Sequence, residues 1–167
     1  MAGRIIQGNA HLYGDNIDTD GIIPGKYTKT LDLQSLADHV LEDLDPEFRV
    51  HLQPGDLLVA GTNFGCGSSR EQAPLALKTA GVAAVVAKSF ARIFFRNAIN
   101  IGLPVIEVPD YQIATGDVLA AHLEEGHVRN ISRKLEFRSS TLPGVMMDIL
   151  DEGGLVNYLK KNGTYRI

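Results

Sequence analysis

The sequence predicts an α/β fold: a single domain spanning residues 1–167, with a partly parallel central sheet flanked by helices. Three observations predict it. Between Asp56 and Val108, apolar runs alternate with helix-patterned segments in the order strand, helix, strand, helix, strand, which is the pattern of parallel crossover units. Beyond Asp117 the pattern shifts to short strand-like runs around Glu124-Glu-Gly126, as in a hairpin. The length of 167 residues, with 44% hydrophobic and 22% charged, suits one ordinary globular domain able to bury a core.

The elements follow in order. Arg4–Tyr13 reads as a first strand that ends at Gly14-Asp15. Asp15–Thr30 is rich in Asp, Asn and Gly, whose side chains bond nearby backbone or tolerate positive φ, so turns are expected there. Leu33, Leu36, Val40 and Leu44 form one apolar stripe, which predicts a helix from Leu33 to Leu44. Asp45-Pro46 opens a second helical turn through Phe48, and Gln53-Pro-Gly-Asp56 turns into a buried strand over Asp56–Ala60. Gln72–Ala80 is expected to be helical, with Gly81 as its stop. Val82–Ala87 is a continuous apolar run and hence a buried strand. Ser89 is placed to cap a helix over Phe90–Ile99, and Leu103–Val108 returns as a strand. Asp117–Leu123 and His127–Ile131 form the hairpin, and Leu135–Phe137 adds a third strand. Met146–Leu150 and Gly154–Lys161 read as C-terminal helix, with Leu155, Tyr158 and Leu159 facing inward.

Bulk properties exclude several function classes. A formal charge of −4 without runs of like charge argues against a nucleic-acid surface. The N-terminus lacks the apolar core of a signal peptide, and no segment nears the ~18 apolar residues that span a bilayer. A cytoplasmic chain without membrane contact is therefore expected. Cys66 is the one cysteine, which excludes a disulfide framework and an iron–sulfur cluster ligated by this chain alone. His11, His39, His51, His122 and His127 show no metal-ligand spacing and read as structural or exposed, so no metal site is expected.

Chemistry concentrates in Gly61-Thr-Asn-Phe-Gly-Cys-Gly-Ser-Ser-Arg-Glu71. Gly61, Gly65 and Gly67 permit backbone angles that other residues avoid and let a ligand approach closely. Ser68 and Ser69 are expected where a helix begins, beside unpaired N–H groups and a partial positive charge that suit an anion. Arg70 adds a planar fork of donors matched to carboxylate or phosphate. A plainer reading makes the serines helix caps, Arg70 a surface partner of Glu71 or Asp20, and Cys66 a small packed residue.

Three separated motifs carry a resemblance: Asp18-Thr-Asp20 with Ile22-Ile-Pro24, then Asn63–Glu71, then Ala87-Lys-Ser-Phe-Ala-Arg-Ile-Phe-Phe-Arg-Asn-Ala-Ile-Asn-Ile-Gly-Leu-Pro104. Together they resemble the 3-isopropylmalate dehydratase small-subunit family, the detached swivelling domain of the aconitase family, over essentially the whole chain. The resemblance implies an aconitase-type swivelling β/β/α domain and a hydro-lyase that moves a hydroxyl between adjacent carbons by dehydration and rehydration, a step of leucine biosynthesis. It implies no cofactor on this chain and a [4Fe–4S] cluster on a large-subunit partner, without which the chain is inactive. Whether isolated chains self-associate is left open.

Carried onto matching positions, the resemblance puts Ser68 at the catalytic base, Arg70 at a substrate-carboxylate anchor and Ser69 at a hydroxyl neighbour. Asp20 falls at an acid similar to one that hydrogen-bonds a histidine of the cluster-bearing partner; as a bare sequence feature it also fits a simple turn. The substrate expected is a small di- or tricarboxylate, and Tyr27-Thr-Lys-Thr30 falls where its variable end would lie, making Tyr27 and Lys29 substrate-binding candidates. Family members acting on isopropylmalate resemble one another in an apolar residue at the third of these positions, and those acting on homoaconitate in an arginine. Lys29 matches neither, and leaves homoaconitate and dimethylmalate beside isopropylmalate, or a plain solvated lysine. A non-catalytic module binding carboxylate or phosphate is the alternative outside enzyme chemistry. Lys88, Arg92, Arg96 and Asn97 form a polar set that braces the glycine loop or faces the partner.

Overall fold

The computed structural model describes residues 4–30 and 32–163; residues 1–3, 31 and 164–167 of the expected domain lie outside the described residues. The chain begins with β1 (Ile5–Leu12), then α1 (Thr19–Ile22), a 3-10 turn at Gly25–Tyr27, α2 (Leu33–Asp38) and α3 (Phe48–His51). β2 (Leu57–Ala60), α4 (Gln72–Ala80), β3 (Ala84–Ala87), α5 (Arg92–Asn100) and β4 (Val105–Glu107) build the crossover units. β5 (Val118–His122), β6 (His127–Asn130) and β7 (Leu135–Arg138) form a meander, and α6 (Gly144–Asp151) and α7 (Leu155–Asn162) follow. One seven-stranded sheet results, in the order β4-β3-β2-β1-β5-β6-β7. The first four strands run parallel, β5 lies antiparallel to β1, and the meander continues antiparallel. This is the partly parallel α/β architecture the residue pattern predicts.

Strand patterning explains the two cores. Every residue of β2 and β3 is buried, because parallel strands are covered on both faces. Alternation sends Leu58, Ala60, Val85 and Ala87 to the helical side, against Ile22, Leu77, Phe94 and Tyr158. Leu57, Val59, Ala84 and Val86 face the other way and meet Leu119, Ala121 and Val128 of the meander. The sheet therefore curls over a second core shared by its parallel and antiparallel halves.

Several local expectations need correction. The helix expected from Leu33 to Leu44 stops at Asp38. Leu41 takes φ +56°, and its N–H bonds the Ile22 carbonyl at 2.7 Å, so a long-range contact ends the helix. Leu36, Val40 and Leu41 are buried, whereas Leu33 and Leu44 are exposed. The helical turn expected to end at Phe48 begins there instead. In α7, Tyr158 is buried but Leu159 faces solvent. By contrast α4 spans the expected residues, and Gly81 closes it with φ +113°. No helix among the described residues is long and apolar enough to cross a membrane.

Candidate active site

β2 and β3 end side by side, so Gly61–Glu71 and Lys88–Ala91 leave the sheet together at its carboxyl edge, where open α/β sheets bind ligands. Backbone bonds hold the glycine loop from two sides. On one side the Asn63 N–H bonds Ser89 Oγ at 2.8 Å, the Phe64 N–H bonds the Ser89 carbonyl at 3.0 Å, and the Ala91 N–H bonds the Phe64 carbonyl at 2.9 Å. Ser89 thus holds the loop rather than capping α5, whose cap position is Ala91 and carries no side-chain bond. On the other side the Gly65 N–H bonds the Ile17 carbonyl at 2.8 Å, and the Thr19 N–H bonds the Cys66 carbonyl at 2.9 Å. Thr19 Oγ1 then donates to the Ser68 carbonyl at 2.8 Å. Phe64 is fully buried and packs edge-on against Phe90 and Phe94, pinning the loop to α5.

This tethering opens a cleft of about 200 Å3 between the loop and the first turn of α5. Thr19, Ser68, Ser69, Arg70, Arg92 and Asn97 supply its polar groups, and Ala91, Ile93 and Phe94 its apolar wall. The volume is below the roughly 300–1,000 Å3 of drug-sized pockets, and suits a small acid. Ser68 and Ser69 do not cap α4: its cap position is Glu71, and both serines lie exposed before it. The first turn of α5 lines the cleft with them. A helix without a side-chain cap leaves its first N–H groups free and carries a partial positive charge. With Arg70 and Arg92 on the lining, the cleft is electropositive and contains two exposed hydroxyls.

Arg70 organises the second layer. One Nη1 bonds Asp20 Oδ1 and lies 3.5 Å from the Ile23 carbonyl. Its guanidinium rests on Gly25, where an added Cβ would meet Nη2 at 3.3 Å. Of the two acids named as partners from sequence, Asp20 is the one that pairs with Arg70. Asp20 joins the site through Arg70, and its own side chain is 63% exposed. Tyr27 and Lys29 are not brought to the cleft lining. The Tyr27 hydroxyl donates to Glu42 Oε2 at 2.9 Å, and its ring stacks on His39 at 3.8 Å. That bond to a carboxylate, with burial as the next cause, pushes the phenol pKa up. Lys29 is exposed, one residue beyond Thr28, whose carbonyl accepts from Gln72 Nε2 at 3.3 Å.

Three lining residues were not among the catalytic or substrate-binding candidates read from sequence. Thr19 is 2% exposed and fixes the Ser68 backbone; its signal lay inside Asp18-Thr-Asp20, between two more conspicuous acids. Arg92 and Asn97 line the cleft, whereas Lys88 of the same polar set lies over the Tyr111 ring at 5.4 Å. Cys66 contributes its carbonyl to the tether and is absent from the cleft lining.

Comparison with known proteins gives the family. Residues 24–111 match the aconitase C-terminal domain family. The 3-isopropylmalate dehydratase small subunit 1 of Methanopyrus kandleri is 53% identical over 161 residues, covering 95% of this chain and 95% of that protein. A methanogen homoaconitase small subunit from Methanothermobacter thermautotrophicus is also 53% identical over 161 residues, covering 96% and 94%. The crystal structure of a 3-isopropylmalate dehydratase from Methanocaldococcus jannaschii superposes with a TM-score of 0.92 at 48% identity, covering 96% of each chain. The chain therefore belongs to the 3-isopropylmalate dehydratase small-subunit family, with the aconitase C-terminal domain as its fold.

Proposed function

We propose that this chain is the small subunit of a two-subunit 3-isopropylmalate dehydratase, a cytoplasmic hydro-lyase that interconverts 2-isopropylmalate and 3-isopropylmalate and is active only with its large subunit. One observation carries the reading: a single electropositive cleft holds Ser68, Ser69 and Arg70 beside the uncapped end of α5. Ser68 is the base that takes a proton from the carbon next to a carboxylate. A serine is a weak base at its free pKa, and the field of the α5 N–H groups and the two arginines lowers the cost of an alkoxide. Arg70 anchors that carboxylate with the donors not engaged by Asp20, and Ser69 bonds the same end of the substrate. Asp20 orients Arg70 and stays exposed toward a histidine of the partner.

The family resemblance implies a [4Fe–4S] cluster on the large subunit, and a chain whose one cysteine is Cys66 is consistent with that division, since such a cluster takes several thiolates. Bound there, it would supply Lewis-acid chemistry for loss of the hydroxyl. The open mouth of the cleft, with exposed Ile93 on its rim, fits a site completed by a second protein.

A second reading is homoaconitase. It is favoured by the 53% identical methanogen relative and by Lys29, a cation able to hold a further carboxylate without the bidentate geometry of arginine. Assay of the reconstituted two-subunit complex on isopropylmalate, homoaconitate and dimethylmalate separates these readings. We expect turnover of isopropylmalate, and loss of turnover with substrate binding retained in Ser68→Ala. Turnover of none of the three, or a fully active Ser68→Ala complex, would sink the proposal.

A further inference from the structure

The end of the sheet remote from the cleft carries a cluster that the proposed reaction does not use. His122 closes β5, His127 opens β6, and the two are cross-strand partners in the hairpin. His122 pairs with this hairpin at the level of Ile5, the start of β1, while the glycine loop lies beyond the other end of β1. At ~3.3 Å per strand residue the two places are separated by roughly 20 Å or more. Glu125, in the connecting turn, places Oε2 3.9 Å from His122 Nδ1 and 3.7 Å from His127 Nδ1. One ligand atom from each of the three residues lies within 4.8 Å of the others.

We propose that His122, Glu125 and His127 bind a divalent first-row transition-metal ion of the zinc type. Two imidazole nitrogens and one carboxylate oxygen, with a fourth position left to water, form a donor set such ions accept; calcium and magnesium prefer oxygen ligands throughout. In a tetrahedral site with ~2.1 Å bonds, ligand atoms stand about 3.4 Å apart, so the two histidine–glutamate separations need to close by about half an ångström or less, and the histidine pair, within 4.8 Å, by up to about 1.4 Å. The imidazoles stack at 4.3 Å with 24° between their planes. Two rings sharing a metal aim their lone pairs at one centre, so binding rotates these rings out of the stack. The exposed Glu125 has the freedom to follow.

The surrounding sheet is suited to this. His127 Nε2 lies 3.6 Å from Glu136 Oε1 on β7, so its second nitrogen faces a carboxylate. A small approach would let that ring N–H donate to the carboxylate, the partner that commonly orients a metal-bound histidine. Backbone pairing with both β5 and β7 holds His127 in place before any ion arrives, which lowers the ordering cost of binding. Arg138 is the partner of His127 on β7, and Glu125 and Glu136 set two carboxylates against its charge.

The test is zinc titration of the untagged full-length chain by calorimetry, repeated with cobalt for its absorption spectrum. We expect one equivalent of zinc, a rise in melting temperature, and cobalt d–d bands without a thiolate charge-transfer band. His122→Ala, His127→Ala and Glu125→Gln should each weaken binding by tenfold or more, and Glu136→Gln by about tenfold. Glu125→Gln replaces an exposed turn residue and keeps the fold readable should a histidine variant unfold. Absence of zinc binding would overturn the site. So would stoichiometric binding that survives Glu125→Gln and His127→Ala, or a cobalt spectrum showing thiolate ligation by Cys66.

Discussion

Gly65 is where the loop comes nearest to α5, and Gly65→Ala tests the tethered-cleft geometry most sharply. Gly65 has φ +83°, and an added Cβ would lie 2.2 Å from Phe94 Cγ and 2.4 Å from Phe94 Cβ. Phe94 is 2% exposed, and its Cβ is fixed to the helix backbone, so the ring has no room to swing away. The positive φ costs ~1–2 kcal/mol for a residue with a Cβ, and overpacking a filled core costs ~1–3 kcal/mol. The sum is roughly 2–5 kcal/mol, a large part of a typical domain's stability. Gly67→Ala is the control: its φ is +90°, but its nearest neighbour is Asp18 Cβ at 3.5 Å, an ordinary contact. That variant should lose only the backbone share, about 1–2 kcal/mol.

Urea unfolding of the isolated chain gives both losses, and a double-mutant cycle with Phe94→Gly, which removes the Cβ along with the ring, isolates the clash. The double variant should be more stable than the summed single losses by about 1–3 kcal/mol. Equal losses for Gly65→Ala and Gly67→Ala, or strict additivity in the cycle, would refute the claim that Phe94 sets the position of the loop.

Thr19→Val removes the hydroxyl that holds the Ser68 carbonyl; it should cost about 0.5–1.5 kcal/mol, the net worth of one hydrogen bond, and lower kcat of the reconstituted complex by up to about 100-fold through misplacement of Ser68. Arg70→Lys keeps the charge but loses the fork that spans Asp20 and the substrate carboxylate, so KM should rise about tenfold or more in steady-state assays. The Asp117 carboxyl is held at about 2, below its ordinary 3.8, by the Asn130 amide first, then the Ala114 N–H and the Arg133 guanidinium. A depressed pKa stabilises the fold above the unfolded value and loses that stabilisation as pH falls from about 4 toward 2. Asp117→Asn should therefore lower the melting temperature at neutral pH and flatten the acid limb in that window; parallel limbs in the two proteins would count against it.

How much was legible depended on whether a feature is local. The helix at Gln72–Ala80 and its Gly81 stop, the apolar strands and the hairpin follow from neighbouring residues, because period and turn chemistry act over a few positions. Two errors share a cause. The Leu33–Leu44 stripe carried a helical period, yet the Leu41 N–H found the Ile22 carbonyl, a contact no local pattern announces. Ser89 has the chemistry of a cap, but its hydroxyl accepts from Asn63, 26 positions upstream. Arg70 was visible as an anion anchor, and its partner was narrowed to two acids that only folding could tell apart.

The sequence by itself determined the α/β class and the family, and named Ser68, Ser69 and Arg70 as neighbouring candidates, because those rest on residue identity and short-range periodicity. Tertiary structure decided which helix end faces the serines, that Thr19 holds the Ser68 backbone, and that His122 and His127 meet across a hairpin with Glu125 between them. The physical reason is common to all three. Each depends on the register in which the sheet pairs: Thr19 and Ser68 stand 49 positions apart in the chain, and His122 and His127, though near in sequence, become direct partners only in this register of the hairpin.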